Sequence, residues 1–133
     1  MGTLSNEELI QKAVSLINIK VINQDRKIGD VACVLITDQG NIFTGVNIAG
    51  HVGICAEQTA AGAMVTAREY RIAKIVVARE ENGKRYVIPP CGRCRDFLVK
   101  VDRDNLEAEF ILDRETVVKV KDLLPHYKDY RDI

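Results

Sequence analysis

Cys55-Ala56-Glu57 and Pro90-Cys91-Gly92-Arg93-Cys94 are the two stretches on which the reading of this chain turns. Each stands where a helix is expected to begin. Cys55 opens an alanine-rich segment that reaches about Tyr70, free of proline, with Gly62 as its internal glycine. Its many small residues suit close packing against a sheet. Pro90 to Cys94 opens a further helix, running to about Val101. Between the two lies Ile72-Ala73-Lys74-Ile75-Val76-Val77-Ala78, an apolar run that reads as a strand. Strands alternating with helices predict an α/β layered sheet.

Working outward, Val31-Ala32-Cys33-Val34-Leu35-Ile36 is a continuous apolar run of a buried strand. Thr37 to Asn41 is a turn, and Ile42 to Val46 returns as its hairpin partner. Asn47 to Ile54 is a loop with two glycines. Near the N-terminus, Ser5 and Glu8 have capping-box spacing, and Leu4 with Leu9 fits a hydrophobic staple. Leu9, Ala13, Leu16 and Ile17 then line one helix face to about Ile19. Asn23 to Lys27 is a polar stretch. Arg79 to Val87 is charged and exposed, with Asn82-Gly83 as a turn. Ala108 to Leu112 is a fourth strand, Thr116 to Val120 a fifth, and Lys121 to Pro125 a short helix ended by proline. No repeat or linker interrupts the chain, so residues 1–133 are expected to form one domain.

Its 133 residues suffice for a core, with 47% hydrophobic and 29% charged side chains. Nineteen basic and nineteen acidic residues cancel. A nucleic-acid binder would show a basic excess or stripe, so a small-molecule partner is expected instead. The polar first residues lack the apolar core of a signal peptide, and no run is long enough to span a bilayer. A cytoplasmic location is expected. There, four cysteines are thiols or metal ligands rather than disulfides. Cys33, within an apolar run, reads as a small buried core residue.

The other three cysteines suit zinc. Cys91 and Cys94, three apart at a helix start, share a face, and two helix N-termini favour thiolate over thiol. Three thiolates leave one tetrahedral position of Zn²⁺ open, as a catalytic site requires. Glu57, two residues from Cys55, can reach a water there. A purely structural zinc would need a fourth protein ligand, from Cys33 or His51. His51 otherwise reads as a pocket-lining or plain loop histidine. A redox dithiol built on Cys91 and Cys94 would leave Cys55 and Glu57 unexplained.

Cys-Ala-Glu followed by Pro-Cys-x-x-Cys resembles the cytidine deaminase family in its all-cysteine-ligand form, from roughly Val31 to Pro125. The resemblance implies a three-layer sandwich: a mixed five-stranded sheet with helices on both faces. It implies Cys55, Cys91 and Cys94 as zinc ligands, Glu57 as the catalytic acid–base, and Asn47 and Ala56 against the substrate. The reaction would be hydrolytic: zinc activates water, Glu57 shuttles protons, and a cytosine ring becomes uracil with loss of ammonia. A homotetramer is also implied, with Tyr127 or Tyr130 completing a neighbour's pocket.

Four positions depart from the family pattern. Zinc with three thiolates carries net −1, and an arginine after the catalytic glutamate commonly offsets this. Here Gln58 stands there, leaving Arg93 or Arg95 to compensate. The family's Asn-x-Glu, which grips ribose hydroxyls, is Asn47-Ile48-Ala49. The loop to Cys55 is shorter than usual. An aromatic that would pack on the base corresponds to about Gly29. The last three departures, with Pro90 to Arg95, are similar to blasticidin S deaminases, whose substrate is a cytosine nucleoside with an altered sugar. The chain thus has three readings: deaminase of such an analogue, salvage cytidine or deoxycytidine deaminase with altered sugar recognition, or catalytically silent zinc fold.

Overall fold

The computed structural model describes residues 4–23, 26–50 and 52–133. In chain order the elements are α1 (Asn6–Leu16), β1 (Lys20–Asn23), β2 (Arg26–Thr37), β3 (Ile42–Ile48) and α2 (Ala56–Thr66). After these come β4 (Ile72–Glu81), β5 (Lys84–Val87), α3 (Gly92–Val101), β6 (Glu109–Ile111) and β7 (Val117–Lys119). Short 3₁₀ turns cover Arg103–Glu107 and Val120–Leu123. The described residues include no helix long and apolar enough to cross a membrane.

Helix α1 begins as its sequence predicts. Ser5 Oγ accepts from the Glu8 N–H at 3.1 Å, and Glu8 Oε1 accepts from the Ser5 N–H at 3.0 Å. It ends at Leu16, short of the expected Ile19. The Asn18 N–H donates instead to the Gly29 carbonyl at 2.9 Å, drawing the chain out of the helix and onto β2.

The expected mixed sheet is present, with a five-strand body ordered β3-β2-β4-β6-β7. Only the β4–β6 pair is parallel; the others are antiparallel. Two further strands bring the sheet to seven, correcting the expected five. β1, for which no strand was expected, pairs with the start of β2, which begins inside the expected polar stretch Asn23 to Lys27, and β5 pairs with β4 within the charged segment. The second hairpin is set by its turn rather than by apolar side chains. Asn82 (φ +53°) and Gly83 (φ +76°) are both left-handed, the two-residue geometry that matches strand twist. Near its tip the charged Glu81, Lys84 and Arg85 remain outside, with Arg85 Nε donating to Glu80 Oε1 at 3.1 Å.

Alternation along the strands makes three layers. Cys33, Leu35, Ile75, Val77 and Phe110 face α2 and α3, packing on Ala56, Ala60, Ala61, Met64 and Leu98. Val34, Val76, Ala78 and Ile111 face the opposite way, onto Leu9, Ile10 and Ala13 of α1. Cys33 is fully buried, as expected, and burial pushes its thiol well above the ordinary range. Phe97 and Leu98 join the core.

Two residues set the position of the helices that carry the motifs. A Cβ at Gly45 of β3 would lie 2.7 Å from Thr59 Cβ and 2.9 Å from the Ala56 carbonyl oxygen, so α2 packs backbone-close on the sheet. Asn105, fully buried in the first 3₁₀ turn, ties three segments together. Its Nδ2 donates to the Tyr70 and Leu98 carbonyls, each at 3.0 Å, and its Oδ1 accepts from the Ile72 N–H at 2.8 Å. The end of α3 is thereby fixed to the start of β4.

Candidate active site

Cys55 is the N-cap of α2 and Cys91 the N-cap of α3, each with extended backbone. Cys94 follows in the first turn of α3. The three sulfurs all lie within 4.8 Å of one another, and Cys55 Sγ is 3.9 Å from Cys91 Sγ. Tetrahedral zinc with bonds of about 2.3 Å needs sulfurs roughly 3.8 Å apart, so this donor set fits the ion. Cys33 lies in the buried middle of β2 and is not part of the cluster. His51, the other fourth-ligand candidate, falls outside the described residues.

The environment sorts the thiols. Burial works against a thiolate at Cys91, but the Cys94 backbone N–H and the Cys94 and Cys55 side chains outweigh it and lower its pKa. Burial, and then the charge of Glu57, push the Cys94 thiol far above the ordinary range. A bound divalent ion reverses this, because coordination deprotonates a thiol outright.

Glu57 occupies the first turn of α2 and is buried, at 4% exposure. Burial raises its pKa, opposed by its own backbone N–H, by Cys94 and by the charge of Arg93. A carboxyl group raised in this way is suited to taking and returning a proton.

Of the two arginines expected to offset the thiolates, one reaches them. Arg93 Nη2 donates to Cys55 Sγ at 3.2 Å, and that sulfur keeps the guanidinium firmly charged. Arg95 is turned elsewhere: its Nε donates to the Pro90 carbonyl at 2.9 Å and its Nη1 to the Leu123 carbonyl at 3.3 Å. Its place as a charge compensator is corrected to that of a brace between the α3 entry and the C-terminal 3₁₀ turn. Gln58, at the position where an arginine was looked for, caps α2 by accepting from the Cys55 N–H at 3.1 Å.

A cleft of about 510 Å³ opens over this cluster, lined among others by Glu57, Cys55, Ala56, Cys91 and Asn47. Asn47 is nearly buried, and its amide spans to β2: Oδ1 accepts from the Val31 N–H at 3.0 Å and Nδ2 donates to Asp30 Oδ1 at 2.8 Å. The loop after it is closed by mutual Ile48–Ile54 backbone bonds of 3.0 Å. Gly29 has φ +77°, and a Cβ there would collide with the Asn18 carbonyl oxygen. The backbone itself therefore keeps an aromatic from that position.

Tyr127 packs against the core and Tyr130 is exposed; neither lines the cleft. Arg79, read from sequence as part of a solvated stretch, does line it. The available signal was strand alternation, since Arg79 continues the Ile75, Val77 face of β4.

A layered mixed sheet that brings three cysteines and a buried glutamate together at two helix starts defines a zinc-site deaminase fold. The chain belongs to the cytidine and deoxycytidylate deaminase zinc-binding region family, whose model matches residues 4–107. It is 38% identical over 73 residues to a probable cytidine deaminase of Dictyostelium discoideum, a match covering 53% of this chain and 48% of the relative. The match thus spans about half the length of that curated relative. Among solved structures, cytidine deaminase from Burkholderia pseudomallei superposes with TM-score 0.71 at 25% identity, over 92% of this chain and 98% of the other. The Mycobacterium tuberculosis enzyme gives TM-score 0.73 at 22% identity, over 92% and 95%. The Mycobacterium leprae enzyme gives 0.71 at 22% identity, over 92% and 98%. These likenesses extend the shared fold across nearly the whole chain.

Proposed function

We propose that this chain folds as one domain and hydrolyses the exocyclic amine of a cytosine nucleoside or analogue, giving the uracil form and ammonia. The observation that carries this is the placement of buried Glu57 beside three convergent cysteine sulfurs on the wall of an open cleft. Cys55, Cys91 and Cys94 would hold the zinc. When bound, zinc supplies Lewis acidity that makes water a nucleophile near neutral pH. Glu57 takes a proton from the attacking water and passes it to the ring nitrogen. It then carries the proton of the newly added hydroxyl to the exocyclic amine, so that the C–N bond breaks, ammonia leaves and the carbonyl of the uracil form remains. Arg93 balances the charge of the Cys55 sulfur. Ala56, at the helix start beside Glu57, offers backbone to the ring, and Asn47 borders the sugar end.

Within this reaction we favour a blasticidin-S-type nucleoside with an altered sugar. Ala49 supplies no carboxylate for ribose hydroxyls, and the Gly29 backbone admits no stacking aromatic. Unmodified cytidine or deoxycytidine is the second reading, favoured by the Dictyostelium relative's description as a probable cytidine deaminase. The working form is proposed as a cytoplasmic homotetramer. Exposed Val21, Ile22 and Val52 offer it apolar surface, and Tyr130 is free to reach a neighbour.

Ammonia release from cytidine, deoxycytidine and blasticidin S by zinc-loaded protein tests both levels. The Glu57→Gln variant should keep its zinc and lose about 10²–10⁴-fold in turnover. Release from blasticidin S alone supports the altered-sugar reading, and comparable release from cytidine replaces it with the second. No release from any of the three would sink the proposal.

A further inference from the structure

Among the described residues, three charged side chains line the cleft: Glu57, Arg79 and Arg93. Two are engaged with the cysteine cluster, Glu57 beside Cys94 and Arg93 on the Cys55 sulfur. Arg79 makes neither contact. It stands on β4 opposite Val31 of β2, on the sheet face that also carries Val77. Its Nε is shielded from solvent and has no hydrogen-bond partner among the described residues. Its Nη2 lies 3.6 Å from Glu81 Oε1, too far for a hydrogen bond, and Glu81 is mostly exposed. Such a pair holds a guanidinium weakly.

A buried N–H left unpaired costs free energy that an acceptor on a ligand recovers. Among the described cleft residues, Asn47 Oδ1 already accepts from the Val31 N–H, and Ala49 has no polar side chain. A guanidinium presents a planar fork of donors that matches a carboxylate or phosphate better than a neutral hydroxyl. We propose that Arg79 is a specificity-determining residue that binds an anionic group, carboxylate or phosphate, carried outside the pyrimidine ring of the substrate. The inference rests on the proposed function for the identity of that ring.

Calorimetric titration of zinc-loaded protein with uridine, uridine 5′-carboxylate and uridine 5′-monophosphate tests it, because product-like ligands bind without reacting. At least one anion should bind about tenfold more tightly than uridine, and which anion wins identifies the source. Arg79→Gln should bring that anion to the affinity of uridine. Arg79→Met, which keeps the apolar stem, should do the same and stands in if the first variant fails to fold. Three equal affinities in the unmodified protein, no binding of any ligand, or a preference that survives both substitutions would overturn the proposal. A protein that discriminates anions through Arg79 but releases no ammonia from any cytosine compound would sink the reaction and leave the anion site standing.

Discussion

Arg93 and Arg95 stand two residues apart on α3, and a helix sends such neighbours to different sides. The spacing alone could not say which side faces the sulfurs. The fold does, through the angle at which α3 meets α2. Arg93→Gln should therefore weaken zinc affinity or turnover by about 10–100-fold. Zinc competition with a chromophoric chelator, run beside the ammonia assay, would show it. Arg95→Gln should leave zinc content intact and lower stability by about 1–2 kcal/mol, from two lost bonds to carbonyls. A single motif thus separates into an electrostatic residue and a structural one. The convergence of the three cysteines, with Glu57 beside them, was legible because it depends on short spacings at two helix starts. Asn105 was not, because its partners Tyr70 and Ile72 lie far away in sequence and no periodicity marks a lone buried amide. Asn105→Ala should cost about 3 kcal/mol in a urea titration, since it strands an N–H and two carbonyls in the core.

Among elements, the readable ones were those whose side chains alternate or recur. The core strands β2, β3, β4 and β6 and helices α2 and α3 declared themselves by apolar runs, small residues and helix-start cysteines. β1 and β5 did not, because edge pairing is made by backbone and leaves Val21, Ile22 and Tyr86 exposed. The end of α1 was hidden for a related reason: the Asn18–Gly29 bond is long-range. The interface between α2 and β3 carries the sharpest expectation. Gly45→Ala should destabilise the protein by about 1–3 kcal/mol, seen as a lower urea midpoint with an unchanged slope. Because the layer that must shift also carries Cys55, the variant should bind zinc less tightly as well.

At the level of the whole molecule, stability is expected to be linked to metal. Zinc held by the folded chain at a thousand times its dissociation constant adds about 4 kcal/mol. Chelation should then lower Tm by roughly 10 °C, and readdition of zinc should restore it. In the native apo protein a thiol reagent should label Cys55 and Cys91 rapidly and reach Cys33 only on unfolding, because Cys33 is sealed within β2. A Tm indifferent to chelator would mean that packing alone holds α2 and α3 in place.

The parallel β4–β6 pair has a consequence in time. Antiparallel neighbours can zip from a short turn, but β6 joins β4 only after β5, α3 and a 3₁₀ turn have been threaded between them. Cys91 and Cys94 lie inside that crossover, whereas Cys55 precedes β4. The complete trio is therefore expected to assemble only once this crossover is in place. In stopped-flow refolding, zinc capture by all three sulfurs should come no earlier than the slowest protein phase, and capture ahead of that phase would place the trio before the β4–β6 pairing.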